Sequence, residues 1–182
     1  MHHRLVDDPA SSISHLISLY HFEKEGTLQS IIHQLKYSDM TSLGTELGRK
    51  LGEKLLLQTH DHSIDGMIPV PLHPTKLRER GYNQSEHIAK GIRKVTGIPL
   101  YSSLLLRHKY TSSQTQLSAT ERKENVGDAF SLNKRYLMSL EGKTFLIIDD
   151  VITTGATIEA CAKLLVQHGA RKVIASSVAL AE

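Results

Sequence analysis

The stretch KTFLIIDDVITTGATIEACAKLLVQHGA, residues 143–170, decides how the chain is read. An apolar run at 145–148 reads as a buried strand that ends in two adjacent acids, Asp149 and Asp150. Neighbouring carboxylates repel and are costly to bury unpaired, so this placement calls for something outside the chain to balance them. Successive strand residues point to opposite faces, so the two acids need not share one pocket. The turn TTGAT at 153–157 then enters a helical pattern in which Ile158, Cys161, Ala162, Leu165 and Val166 share a core face. Glu159 and Lys163 read as an exposed i,i+4 pair on the other side.

Ligands of open parallel sheets bind beyond the carboxyl ends of the strands, where the acids stand. The first turn of a helix leaves backbone N–H groups without partners and carries partial positive charge, which suits a phosphate. Gly155 lets the backbone approach closely, and Thr153, Thr154 and Thr157 add hydroxyl donors. Carboxylates accept hydrogen bonds from vicinal hydroxyls. A phosphate cradle beside two acids therefore describes a ribose 5-phosphate, whose hydroxyls, with Mg²⁺ nearby, would balance the charges.

Outward from this stretch the grammar stays α/β. HLISLYHFE at 15–23 reads as a strand, and TLQSIIHQLKY at 27–37 as a helix. TSLGTELGRKLGEKLLLQ at 41–58 reads as a second helix, whose three glycines weaken it but allow close packing. IDGMIPV at 64–70 is a strand running into PLHPTKLRERGYNQ, a basic loop with Lys76, Arg78 and Arg80. Asn83 with Glu86 reads as a capping box for a helix that Gly97 ends. SLLLR at 103–107 is a short strand, Ser118 and Glu121 cap a short helix, KTFLIID at 143–149 forms the central strand and RKVIASSVALA a last one. The alternation predicts a parallel sheet with helices on both faces, one compact domain with a 61–182 core and a more helical N-terminal cap at 1–60. Residues 1–12 are polar and read as frayed.

Bulk properties narrow the class. The chain has 182 residues, 40% hydrophobic, a net charge of +3 and a single cysteine, Cys161. That charge is too mild to argue for nucleic acid by itself. No apolar run approaches a membrane span, the start lacks a secretion signal, and one cysteine forbids an intramolecular disulfide, so a cytoplasmic protein is expected. GKT at 142–144 is no Walker loop, because position 137 is Leu and the triplet precedes its strand; no GxGxxG opens a helix.

FLIIDDVITTGAT, residues 145–157, resembles the phosphoribosyl pyrophosphate (PRPP) signature of the type I phosphoribosyltransferases. The resemblance implies that family's Rossmann-like fold with a small N-terminal hood. It implies that Asp149 and Asp150 hold the ribose hydroxyls and that Thr153, Thr154, Gly155, Ala156 and Thr157 hold the 5-phosphate. The segment 70–84 resembles the competence-associated ComF branch. There Pro71, Leu72, His73 and Pro74 correspond to the pyrophosphate loop, and Arg80, Gly81, Asn83 and Gln84 match the RG-x-NQ signature. Arg78 and Arg80 are expected to receive pyrophosphate, although a surface charge at Arg78 and a plain N-cap at Asn83 remain open readings. Arg107, Gln114, Leu117, Arg122, Asn125 and Phe130 match farther along, where relatives carry a mobile loop over the reacting centre that includes Arg107 and Gln114.

The cysteine-rich zinc ribbon with which ComF relatives usually begin has no counterpart, so no protein-held metal and no zinc is expected; His60 and His62 alone do not make a zinc site. What the resemblance implies is a Mg²⁺-dependent glycosyltransferase acting on PRPP, in which a base or amine displaces pyrophosphate. The alternative is a non-catalytic PRPP- or nucleotide-binding accessory of DNA uptake, with competence or DNA-processing proteins as partners and weak DNA contact. Oligomeric state stays open.

Overall fold

The computed structural model describes residues 5–6, 8–22, 33–35, 40–58, 63–109 and 129–181, without the side chains of 137–139. Its centre is a four-stranded parallel sheet. The strands are β1 (His15–Phe22), β2 (Gly66–Pro69), β5 (Thr144–Ile152) and β6 (Lys172–Ala181), in the order β1-β6-β5-β2. Two short strands, β3 (Leu105–Arg107) and β4 (Phe130–Leu132), form a separate antiparallel pair. The helices are α1 (Thr41–Gln58), α2 (Pro74–Arg80), α3 (Gln84–Thr96) and α4 (Ala156–Gln167), with a 3-10 turn at Lys134–Ser139.

The sheet separates two cores, as the alternation of β5 requires. Phe145 and Ile147 pack with Ile158, Cys161, Ala162 and Leu165 of α4 and with Leu105 and Phe130. Leu146 and Ile148 pack on the opposite face with Leu47, Leu51 and Leu55 of α1 and Ile88, Ala89 and Ile92 of α3. Helices thus cover both faces, as expected. The glycines of α1 explain how two helices share one face. A Cβ on Gly48 would stand 2.0 Å from the Ile88 carbonyl oxygen, and one on Gly91 would stand 2.1 Å from that of Thr45. The small residues let the α1 and α3 backbones touch.

Several expectations change. The central strand continues through both acids to Ile152, because β6 supplies backbone partners on past them, Asp149 facing Ser177 and Val151 facing Ala179. The basic loop contains a helix, α2. Pro74 starts it, His73 Nδ1 accepts from the Thr75 amide at 3.2 Å, and Gly81 closes it at φ 80°. β4 and the 3-10 turn had no signal strong enough to read in three- and six-residue pieces. Val166 is 42% exposed and does not join the core face of α4. Glu86 pairs with Lys90 at 3.0 Å, while Asn83 alone caps α3 through its side chain. The strand at 15–22 is an edge strand of the main sheet, joined to β6. The expected helix at 27–37 is described only at 33–35. The cap at Ser118 and Glu121, the loop residue Gln114 and the pair His60 and His62 lie outside the described residues.

Candidate functional site

The acids interrupt the alternation of β5. Ile148 belongs to the α1/α3 core, Val151 packs against that same core, and Ile152 belongs to the α4 core. The facing pattern therefore slips by one residue between 148 and 151. The acid side chains add bonds to the backbone there, while the register with β6 keeps one offset through Ile152. Asp149 Oδ1 accepts from the Asp150 amide at 2.9 Å, and Asp150 Oδ1 accepts from the Val151 amide at 2.8 Å. The two acids end up in different surroundings. Asp149 is half-buried and lines a cavity, whereas Asp150 is 4% exposed and stands outside the lining.

That cavity, about 240 Å³ and open to solvent, is lined by Asp149, by Val151 and Ile152, and by the whole turn 153–157 with Ile158. Gly155 sits at φ 76°, a left-handed conformation that favours glycine, and is the N-cap of α4 without a side-chain cap. The Ala156 amide donates to Thr154 Oγ1 at 3.4 Å. The structure brings Asp149, Thr153, Thr154, Gly155, Ala156 and Thr157 together, at the carboxyl end of the central strand.

The remaining described sequence candidates do not line this cavity. Pro71, Leu72, His73 and Pro74 connect β2 to α2, and the Val70 amide that precedes them donates to Ile148 O at 2.9 Å. Arg78 is exposed on α2; Arg80 is half-buried and donates to Gln84 Oε1. Arg107, at the end of β3, places its guanidinium 5.3 Å from the Phe130 ring centre. Burial pulls the Arg107 pKa below its usual value, and the negative charge of Asp149 opposes that shift. Burial, reinforced by Asp149, pushes the Cys161 thiol up, and Cys161 is wholly buried.

One residue that sequence reasoning passed over stands between these parts. Ser85 is 1% exposed, and its hydroxyl donates to Asp149 Oδ1 at 3.1 Å. Its amide donates to Asn83 Oδ1 at 3.1 Å, and Asn83 Nδ2 donates to Val70 O at 3.0 Å. A chain of hydrogen bonds thus runs from the start of the 71–74 loop to the acid in the cavity. Asn83 is both a helix cap and a member of this chain, so its two sequence readings were not exclusive. The RG-x-NQ signature stopped one residue short of Ser85, whose hydroxyl had no distinguishing spacing. Tyr82 anchors the same turn by donating to Leu35 O at 2.6 Å.

Among the described residues no group of three or more His, Cys, Asp or Glu could hold a metal ion. The acids present suit a Mg²⁺ ion that arrives on a diphosphate, since Mg²⁺ takes one or two carboxylates and otherwise keeps water and phosphate oxygens.

Residues 85–181 match the family described as "Phosphoribosyl transferase domain". The chain is 32% identical over 149 residues to the DNA utilization protein YhgH of Salmonella typhi, covering 80% of this chain and 64% of that protein. It is 30% identical over 151 residues to Competence protein F of Haemophilus influenzae, covering 80% of this chain and 65% of the relative. The chain therefore spans 64% and 65% of the lengths of these two relatives. A glutamine PRPP amidotransferase from B. subtilis, solved with ADP and GMP, aligns over 78% of this chain and 29% of its own, with a TM-score of 0.48 and 23% identity. By its family match, its competence relatives and its helix-flanked parallel sheet, this chain belongs to the phosphoribosyl transferase domain family, with the type I fold, as a ComF-family member.

Proposed function

We propose that this protein binds PRPP with Mg²⁺ and transfers its ribose 5-phosphate to a nitrogen nucleophile. The observation that carries the reading is the shared cavity, in which the carboxylate of Asp149 and the turn 153–157 face one space. The 5-phosphate would sit on the amides of 154–157, and Asp149 would accept from a ribose hydroxyl. Asp150 would join it after a local change at Val151. In the reaction the bond from the anomeric carbon to the pyrophosphate oxygen breaks, and the nitrogen lone pair forms the new C–N bond. Pyrophosphate leaves with both bonding electrons, and the nucleophile's proton passes to solvent or to the leaving group. The transition state is oxocarbenium-like, so stabilisation comes from positioning and from charge near the leaving group. Arg107, held close enough to feel Asp149, and the 71–74 loop with Arg80 and Arg78 are the groups proposed to meet that charge. Mg²⁺ supplies charge neutralisation on the diphosphate oxygens.

A second reading keeps the ligand and drops the turnover. Two relatives carry names that refer to DNA utilization and competence, which favours a PRPP- or nucleotide-binding accessory of DNA uptake. One experiment separates the two. Calorimetry with PRPP and Mg²⁺, followed by pyrophosphate-release assays over a panel of bases and amines, should show binding and then turnover with at least one acceptor. Tight binding without turnover supports the accessory role. Absence of binding at millimolar PRPP ends both readings. Thr154→Pro, which removes one amide donor from the turn, should abolish the binding while Thr154→Ala retains most of it.

A further inference from the structure

The N-terminal segment that reads as frayed is built onto the phosphate turn. Leu5 and Ile13 are buried in the α4 core, with Val6 packed against it. The Leu5 side chain occupies the space behind Gly155: a Cβ on that glycine would lie 2.3 Å from Leu5 Cδ2. Farther along, both oxygens of Glu159 are engaged. Ser11 Oγ donates to Oε2 at 2.9 Å, and the Ser12 amide donates to Oε1 at 2.8 Å. The Ile13 amide donates to Ser11 Oγ at 3.1 Å, which fills the acceptor side of that hydroxyl and turns its proton toward Glu159. These bonds replace the Glu159–Lys163 pair expected from spacing.

Glu159 lies one turn into α4, its amide bonded to Gly155 O at 2.9 Å. A carboxylate there favours the helix dipole of the empty protein but repels an anion on the same turn. Four residues of helical rise, about 6 Å, separate the Glu159 and Gly155 backbones, so the strength of that repulsion depends on where the carboxylate points. Ile158 lines the cavity and Glu159 does not.

We infer that Ser11 and Ser12 are positioning residues of the anion site: they clamp the Glu159 carboxylate outside the cavity so that a phosphomonoester can occupy the turn 153–157. The inference rests on reading that turn as a phosphate site. The clamp acts through charge, so its signature differs from that of a packing contact.

The test is titration of the full chain with ribose 5-phosphate, and with PRPP plus Mg²⁺, at low and high salt. Ser11→Ala should weaken both ligands about twofold to fivefold at low ionic strength, the size of a single charge at a helix terminus. The loss should shrink at 0.5 M salt, roughly a Debye length of a few ångströms. Ser11→Thr, which keeps the hydroxyl, should bind like the parent protein. Glu159→Gln should bind about twofold to fivefold tighter, and adding Ser11→Ala to it should change nothing further. Parent-like binding by both Ser11→Ala and Glu159→Gln overturns the clamp. So does a Ser11→Ala loss that persists unchanged in Glu159→Gln and at high salt, because that is packing. If the parent protein binds neither ligand, the phosphate reading falls first and the clamp with it; binding by the parent with indifferent variants removes the clamp alone.

Discussion

Ser85 shows how much one hydroxyl can matter at the site. Its proton fixes Asp149 Oδ1, and the Asp150 amide holds the same oxygen from the strand. Hydrogen bonds to charged groups contribute about 1.5–3 kcal/mol. Ser85→Ala should therefore weaken PRPP binding about tenfold or more by calorimetry. It should leave ribose-free pyrophosphate binding close to the parent value, because pyrophosphate offers no ribose hydroxyl to the proposed acceptor Asp149. Equal losses for both ligands would contradict this role. Cys161 gives an independent residue-scale check. Its thiol is wholly buried and its pKa is raised, chiefly by desolvation, so the thiolate is scarce and inaccessible. Iodoacetamide at pH 8 should leave the native protein unlabelled and add one equivalent in denaturant. The sign of the linked stability follows. Below the ordinary thiol value of about 8.5 both states hold the proton and there is no effect. Above it the unfolded chain releases the proton and the folded chain keeps it, so this group lowers stability as pH rises. Urea midpoints at pH 8 and pH 10, compared between the parent and Cys161→Ala, should diverge in that direction.

At the scale of elements, the α1–α3 contact is the sharpest case. Helix propensity alone favours Gly48→Ala by about 1 kcal/mol. Contact geometry opposes it, since the new Cβ would stand 2.0 Å from Ile88 O, a backbone atom that cannot swing aside. Overpacking of this kind costs about 1–3 kcal/mol and more where backbone must move. Gly48→Ala should lower the urea midpoint despite its better propensity. At Gly97, where a Cβ would meet nothing within 4 Å, the C-cap φ of 71° sets the cost of the same change. A stabilised Gly48→Ala would mean that α1 and α3 are farther apart than described. Sequence spacing placed α1 at 41–58 and gave its glycines a packing role, because a 3.6-residue period and small side chains are local properties. It could not place α2, whose seven residues bury no side chain and so leave no periodic trace.

At the scale of the molecule, the site joins the two faces of the sheet. The turn 153–157 belongs to the α4 face, while Asp149 is held by Ser85 at the start of α3 on the other. Saturating PRPP with Mg²⁺ at about a hundred times its dissociation constant should stabilise the fold by about 2.7 kcal/mol. Hydrogen exchange should slow at the first turns of both α3 and α4. Protection confined to α4 would contradict the Ser85 link. The α/β class, the central strand, the glycine turn at 153–157 and the family are legible in contiguous residues, because their periodicity or motif is local. Long-range pairing settled that β5 runs on through its acids, since the partners that extend it come from β6. It also decided that Asp149 and Asp150 differ in exposure, that Ser85 reaches the site, and that Ser11 and Ser12 hold Glu159. Those partners lie 64, 148 and 147 positions apart in the chain. No local pattern records such pairings; they exist only once the sheet brings distant segments to the same edge.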